Sequence, residues 1–279
     1  MDLHHASRIE TLARLGFAAR GLVYCLVGGL AVLAAIGVGG STGGSRSALL
    51  VVLEQPFGAA LLAAVGAGLV CFAAWRITSA VTDADGRGDS AKGRGVRALQ
   101  ALSGVVYLGL AGTAIGLAAG RGGGGGGEDQ AAQDWTAWAL AQPLGRWAIA
   151  AIGFGVVAGG FGYGWKAWRG DVTKRLSVPP DAMGWVTAVG RAGYAARGVT
   201  FLLIGGFLAL AAWRADSEEV RGLGGALQAL RAQPYGWVLL GLTAAGLFAF
   251  GLFGFVQARY RRIDAPDLDD ARAALRKVV

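Results

Sequence analysis

The chain has 279 residues, 54% of them hydrophobic and only 16% charged, with a mean hydropathy of +0.48. Soluble domains carry charge on nearer a quarter of their residues, so this composition excludes an ordinary soluble protein. The formal net charge of +8 would suggest nucleic acid in a soluble chain. Here the basic residues flank apolar segments, which points to membrane topology and away from a nucleic-acid partner.

His4 and His5, the two histidines, stand side by side near the N-terminus and make a poor metal site. Six apolar stretches follow, each long enough to cross a hydrocarbon core, which takes about 20 residues of helix. They lie near 17–38, 57–74, 98–120, 144–165, 194–213 and 236–256, and none contains Asp or Glu. The two cysteines, Cys25 and Cys71, sit inside the first two spans as small hydrophobes, with no disulfide or metal spacing. Short apolar segments at Ala48–Glu54, Trp135–Ala141 and Leu223–Ala232 are too short to span and read as amphipathic helices at the membrane surface. Gly122–Gly127 reads as a flexible linker. The tail 263–279 is charged and reads as a short cytoplasmic helix.

The spans form an internal repeat. Three segments open alike: Arg14 to Tyr24, Arg97 to Tyr107, and Arg191 to Phe201. In each, a basic residue precedes an Arg-Gly or Ser-Gly pair by six positions, and an aromatic follows four later. Each copy then reaches one turn sequence: Gln55-Pro56-Phe57-Gly58, Gln142-Pro143-Leu144-Gly145, and Gln233-Pro234-Tyr235-Gly236. The repeats are therefore 12–82, 96–170 and 187–262, and the first span is a repeat helix rather than a signal peptide. The fold class is all-α: six transmembrane helices as three parallel two-helix repeats with pseudo-threefold symmetry, plus short interfacial helices on the outer side. Proline is expected at the first position of each second helix. Of the 26 basic residues, 20 fall on the side that holds both termini. The positive-inside rule places that side in the cytoplasm of a bacterial cell.

The best candidate residues are Arg20, Ser103 and Arg197, one from each repeat, with Tyr24 and Tyr107 one helical turn further on. Arg20 and Arg197 lie about 9 Å deeper than Arg14 and Arg191, since six residues of helix rise by that much. Arginine at such depth either snorkels to the interface or lines an anionic-lipid or pore site. Gln55, Gln142 and Gln233 form a second symmetric set, lining an outer vestibule or serving the turns. The glycine rows 112-116-120, 155-159 and 160-164 have small-xxx-small spacing and read as helix-packing surfaces. No span carries an acid, no histidine is available as a base, and no P-loop occurs, so the chain reads as a non-enzyme without cofactor or metal.

The triple hairpin, with Ala18-Ala19-Arg20-Gly21 and Tyr24, its counterpart at Arg197, and the three Gln-Pro-x-Gly turns, resembles a bacterial membrane family known as domain of unknown function 1206 (DUF1206). The resemblance covers about residues 12–262 and implies an integral membrane protein with no assigned substrate. Repeat two departs from it by placing Ser103 where the others have arginine. Two functional readings follow. The first is a structural or interaction protein of the plasma membrane, binding anionic lipid head groups or a membrane-protein partner. The second is a small anion or solute transporter along the pseudo-threefold axis. A dry, Gly/Ala-packed centre with arginines at the rim would favour the first, and a central cavity reached by those arginines the second.

Overall fold

The computed structural model describes residues 3–121 and 128–262, with side chains from Glu10 onward except at 92 and 128. The glycine run, the tail 263–279 and the two histidine side chains lie outside the described residues. Six long helices are apolar enough to cross a membrane. They are α1 (Leu3–Ala35), α3 (Gly58–Val81), α4 (Ala91–Ala118), α6 (Gly145–Arg169), α7 (Met183–Arg214) and α9 (Gly236–Tyr260). Three short helices alternate with them: α2 (Gly44–Leu53), α5 (Glu128–Leu140) and α8 (Leu223–Arg231). The chain is a multi-pass, all-α membrane protein.

The long helices pack in the order α4, α3, α1, α9, α7, α6, and the ring is completed loosely where Leu99 of α4 faces Gly155 of α6. The closest packing is between repeats rather than within them: α3 on α4, α6 on α7, and α9 on α1, the last closing the C-terminus onto the N-terminus. Glycine makes this approach possible, because without Cβ two backbones can touch. The glycine after each motif Arg or Ser faces the neighbouring repeat. A Cβ on Gly21 would lie 2.8 Å from the Gly251 carbonyl, and one on Gly198 would lie 3.0 Å from the Gly160 carbonyl. One on Gly104 would lie 2.6 Å from Ile77.

The leading arginine of each repeat locks the same junction. Arg14 donates to the carbonyls of Ala258 (2.7 Å) and Arg259 (2.6 Å), at the end of α9. Arg97 donates to Ala80 (2.7 Å) and Val81 (2.9 Å) at the end of α3. Arg191 donates to Ala167 (2.9 Å) and Trp168 (3.4 Å) at the end of α6. The last carbonyls of a helix have no partner within it, and a guanidinium fork satisfies two at once. This explains why a basic residue stands at that place in all three repeats. The face with these three locks carries the start of α1 and the end of α9, and is called proximal below.

On the distal face, α2, α5 and α8 meet one another. Each passes into its long helix through one four-residue turn, closed by the glycine N–H donating to the glutamine carbonyl at 2.8, 3.0 and 2.8 Å. The prolines occupy the second place of this turn and do not begin the helices, contrary to expectation; the N-caps are Phe57, Leu144 and Tyr235. These three take left-handed φ values of 62°, 65° and 58°, an uncommon conformation for bulky side chains. The glycine that follows is required by contact: a Cβ there would come within 2.2 Å of the preceding helix's carbonyls in every copy.

Repeat two breaks the symmetry. In repeats one and three the first helix presses on the second through Gly16 against Phe72 and Gly193 against Phe250, and through Ala19 against Gly68 and Ala196 against Gly246. At the equivalent places repeat two has Leu99 and Leu102. Leu99 comes no closer than 3.7 Å to a Cβ placed on Gly155 of α6, Leu102 is exposed, and α4 with α6 is the loosely packed pair. The glycine row 112-116-120 also departs from expectation: Gly120 lies past the end of α4, and Cβ atoms on all three would meet nothing within 4 Å. The row Gly160–Gly164 does pack, against Gly198 of α7.

Candidate anion site

Four arginines converge inside the ring, in its proximal half. Arg20 (α1), Arg76 (α3), Arg197 (α7) and Arg261, just past α9, line a cavity of about 60 Å³ together with Ser103, Tyr107, Tyr163, Tyr194 and Gln257. Phe17, Phe72 and Phe250 complete its wall, and no carboxylate lines it. A single water needs roughly 10–15 Å³ of such space, so the cavity holds a few waters or one small oxyanion.

The arginines are held by rings rather than acids. Arg20 lies over Phe17, Phe72 and Phe250, with its guanidinium carbon 5.3, 4.9 and 4.9 Å from the ring centres. Its one side-chain hydrogen bond goes to the Gln257 amide oxygen at 2.6 Å. Arg197 is only 9% exposed and lies over Tyr24, Phe201 and Phe250 at 4.8, 4.6 and 5.2 Å. The Tyr107 and Tyr24 hydroxyls meet at 3.4 Å beneath it. Lys166 donates to the Tyr194 hydroxyl at 3.2 Å.

The Nε–H groups of Arg20, Arg76, Arg197 and Arg261 are all buried and lack an acceptor. Cation–π contacts contribute about 0.5–2 kcal/mol each. Withdrawing one ion from water costs several kcal/mol unless it is paired and hydrogen-bonded. Four such cations beside one rim carboxylate are therefore undercompensated, and an anion at their centre would supply both the charge and the missing acceptors.

That carboxylate is Asp85, in the loop after α3. It accepts from Gln100 (2.5 Å), from Arg261 (3.2 Å) and from Arg175 in the loop after α6. Its side chain is 7% exposed. Burial pushes the carboxyl pKa up, but Arg261, Arg175 and the Gln100 hydrogen bond outweigh burial and hold it below the ordinary range. Burial lowers the Arg261 pKa, and Asp85 opposes that fall. The backbone closes over this cluster: Leu176 bridges Arg261, Ser177 N–H donates to the Tyr260 carbonyl at 2.8 Å, and Arg262 N–H donates to the Arg175 carbonyl at 3.0 Å. On the outer side of the latch lies a second, polar hollow of about 380 Å³, lined by Asp83, Asp85, Lys174, Arg175 and Arg262.

Of the residues singled out from sequence, Arg20, Ser103, Arg197 and Tyr107 line one cavity, while Tyr24 does not line it and packs its ring against the Arg197 guanidinium. Gln55, Gln142 and Gln233 are exposed in the distal turns. The amides of Gln55 and Gln233 donate to Val51 and Ala229 at 3.3 Å, closing the short helices. Sequence reasoning missed Arg76, Arg261, Gln257, Tyr163 and Tyr194. The repeat register held one signal for them: Arg76 and Tyr163 both stand 21 residues after their turn glutamine. Arg76 is on the helix packed against α4, and brings the charge that Ser103 lacks.

The family profile described as "Domain of Unknown Function (DUF1206)" matches residues 15–83, 100–170 and 192–261, one segment per repeat. The chain belongs to the DUF1206 family. Among its relatives is "Uncharacterized protein YxxB" of Bacillus subtilis (strain 168), 34% identical over 258 residues, covering 91% of this chain and 92% of that one. No solved structure matches the chain. The DUF1206 unit is thus the two-helix hairpin, and three of them enclose the basic cavity.

Proposed function

We propose that this DUF1206 protein is a binding protein of the bacterial plasma membrane that captures an oxyanionic group, a phosphate or a carboxylate, in the central cavity. The observation that carries this reading is the convergence of four arginines whose Nε–H groups are buried without a protein acceptor. Guanidinium forks match planar and tetrahedral oxyanions in geometry as well as charge. The proximal face is cytoplasmic by the excess of basic residues around it. That Arg20 and Arg197 reach a cavity is the arrangement expected of a transporter. The cavity's small volume and its closure by the Asp85, Arg175 and Arg261 cluster support capture of an anion rather than an open path.

The test is equilibrium binding of radiolabelled inorganic phosphate to the purified full chain in neutral detergent. Arg20→Gln and Arg197→Gln should each weaken binding by about 10- to 100-fold, the worth of a charge-assisted hydrogen bond. Absence of saturable binding by the unaltered protein, to phosphate and to lipid phosphate alike, would refute the reading. The polar hollow outside the latch also favours a second reading, release of the anion toward the cytoplasm as part of transport. Phosphate efflux from loaded proteoliposomes above the rate of empty vesicles would establish it.

A further inference from the structure

The cavity is closed above and below but thinly walled at one side. Distally, α2, α5 and α8 meet across the ring. Proximally, Asp85, Arg175 and Arg261 form the latch, and residues 175–177 pair with 260–262. Five of the six helix contacts around the ring are close, and the sixth, α4 with α6, is not. A Cβ on Gly155 of α6 would come within 4 Å of one atom only, Leu99 Cδ2 at 3.7 Å. The equivalent Cβ atoms on Gly68 and Gly246 would lie 2.5 and 2.4 Å from the facing alanine Cβ. At this seam Leu99 and Leu102 stand where repeats one and three have Gly and Ala.

Cavity residues flank this seam on both sides: Ser103 and Tyr107 on α4, Tyr163 on α6. Outward along α4, Leu102, Val105 and Val106 are exposed apolar side chains, suited to contact with hydrocarbon. Arg20 sits about 9 Å deeper than Arg14, a distance set by helical rise. Arg14 binds the final carbonyls of α9, at the head-group level, so the cavity lies just below the head groups of the proximal leaflet.

We infer that the group bound in the cavity is the phosphate of an anionic lipid, admitted sideways through the α4/α6 seam while its acyl chains stay in the bilayer. The inference rests on the anion-binding reading above. The cavity's size fits this division, since about 60 Å³ has room for a few waters or one phosphate group. A phosphatidic-acid-type monoester, with its charge concentrated on one terminal phosphate, fits best. Ser103, in place of a third motif arginine, leaves the α4 side of the entrance open and uncharged, with a hydroxyl for the passing phosphate.

The experiment compares three probes on the purified full chain in neutral detergent, read as the shift in thermal unfolding: short-chain phosphatidic acid, inorganic phosphate and short-chain phosphatidylcholine. Phosphatidic acid should stabilise the protein at concentrations at least tenfold below those at which phosphate acts, and phosphatidylcholine should have no effect. Gly155→Phe lies outside the cavity and points a ring into the open seam. It should abolish the phosphatidic-acid shift and leave the phosphate shift unchanged. Equal potency of phosphatidic acid and phosphate, with neither affected by Gly155→Phe, would overturn lateral entry and keep the anion site. A shift with neither anion would overturn both readings. Should Gly155→Phe fail to fold, Leu102→Trp narrows the same seam from α4 and carries the same expected result.

Discussion

Replacing Arg197 with methionine removes one charge from the cavity and keeps an unbranched apolar stem. The guanidinium carbon lies 4.6 to 5.9 Å from the centres of four rings, Tyr24, Tyr163, Phe201 and Phe250. At about 0.5–1 kcal/mol each, the lost cation–π attraction comes to roughly 2–4 kcal/mol. Against that stands the cost of holding a cation that is 9% exposed with its Nε–H unsatisfied, which is several kcal/mol. The two nearly cancel, and replacing buried ions by well-packed apolar residues is often neutral or stabilising by about 1–4 kcal/mol. In anion-free neutral detergent the variant should therefore unfold at the same temperature as the parent or a few degrees higher. Adding anion to about 100 times the parent's dissociation constant should stabilise the parent by about 2.7 kcal/mol and the variant, if it binds about 10- to 100-fold more weakly, by only about 0.4–1.4 kcal/mol. Thermal unfolding followed by tryptophan fluorescence, with and without anion, reads both effects. A variant destabilised by more than about 3 kcal/mol without anion, yet as responsive to it as the parent, would show that Arg197 is a structural arginine and refute the reasoning.

Three further outcomes follow. Asp85 has a depressed pKa, so its contribution to stability is present above the ordinary carboxylate range and is lost as pH falls below about 3.8 toward its folded value. Asp85→Asn should flatten that acid loss in a pH series of unfolding temperatures, and by freeing Arg261 should tighten phosphate binding severalfold. Arg97→Ala strips two hydrogen bonds from the end of α3 and should cost about 1–3 kcal/mol, with Arg97→Lys restoring only part of it because a lone ammonium cannot serve both carbonyls in fork geometry. Gly21→Ala places a Cβ 2.8 Å from the Gly251 carbonyl and must separate α1 from α9, so it should destabilise by about 1–3 kcal/mol. Unchanged unfolding temperatures for these last two would contradict the ring closure described.

The ring and its symmetry were legible because they repeat. A span needs an apolar run, a turn needs Gln-Pro-x-Gly, and three copies in register leave few other folds. Arg20, Ser103 and Arg197 were visible as a set for the same reason. Arg76 and Arg261 were hidden because each stands near the end of its helix, where basic residues are common topology markers. Only the ring packing shows that Arg76 turns inward while Arg14, Arg97 and Arg191 bind helix ends. The wide seam was marked in the sequence by Leu99 and Leu102, but reading it requires knowing that Gly16 and Ala19 are the contact points in the sister repeat. The prolines were assigned to helix starts by a general preference, whereas a left-handed residue and a close-packed glycine intervene between each proline and its helix.

The central claim is that an oxyanion sits among the four arginines. A cryo-electron-microscopy map of the full chain, prepared in nanodiscs containing phosphatidic acid, tests it most directly. A tetrahedral density is expected in the cavity within hydrogen-bond distance of Arg20, Arg76, Arg197 and Arg261, continuous with acyl density through the α4/α6 seam. A cavity free of such density, with the four guanidiniums each turned to protein acceptors, would contradict it.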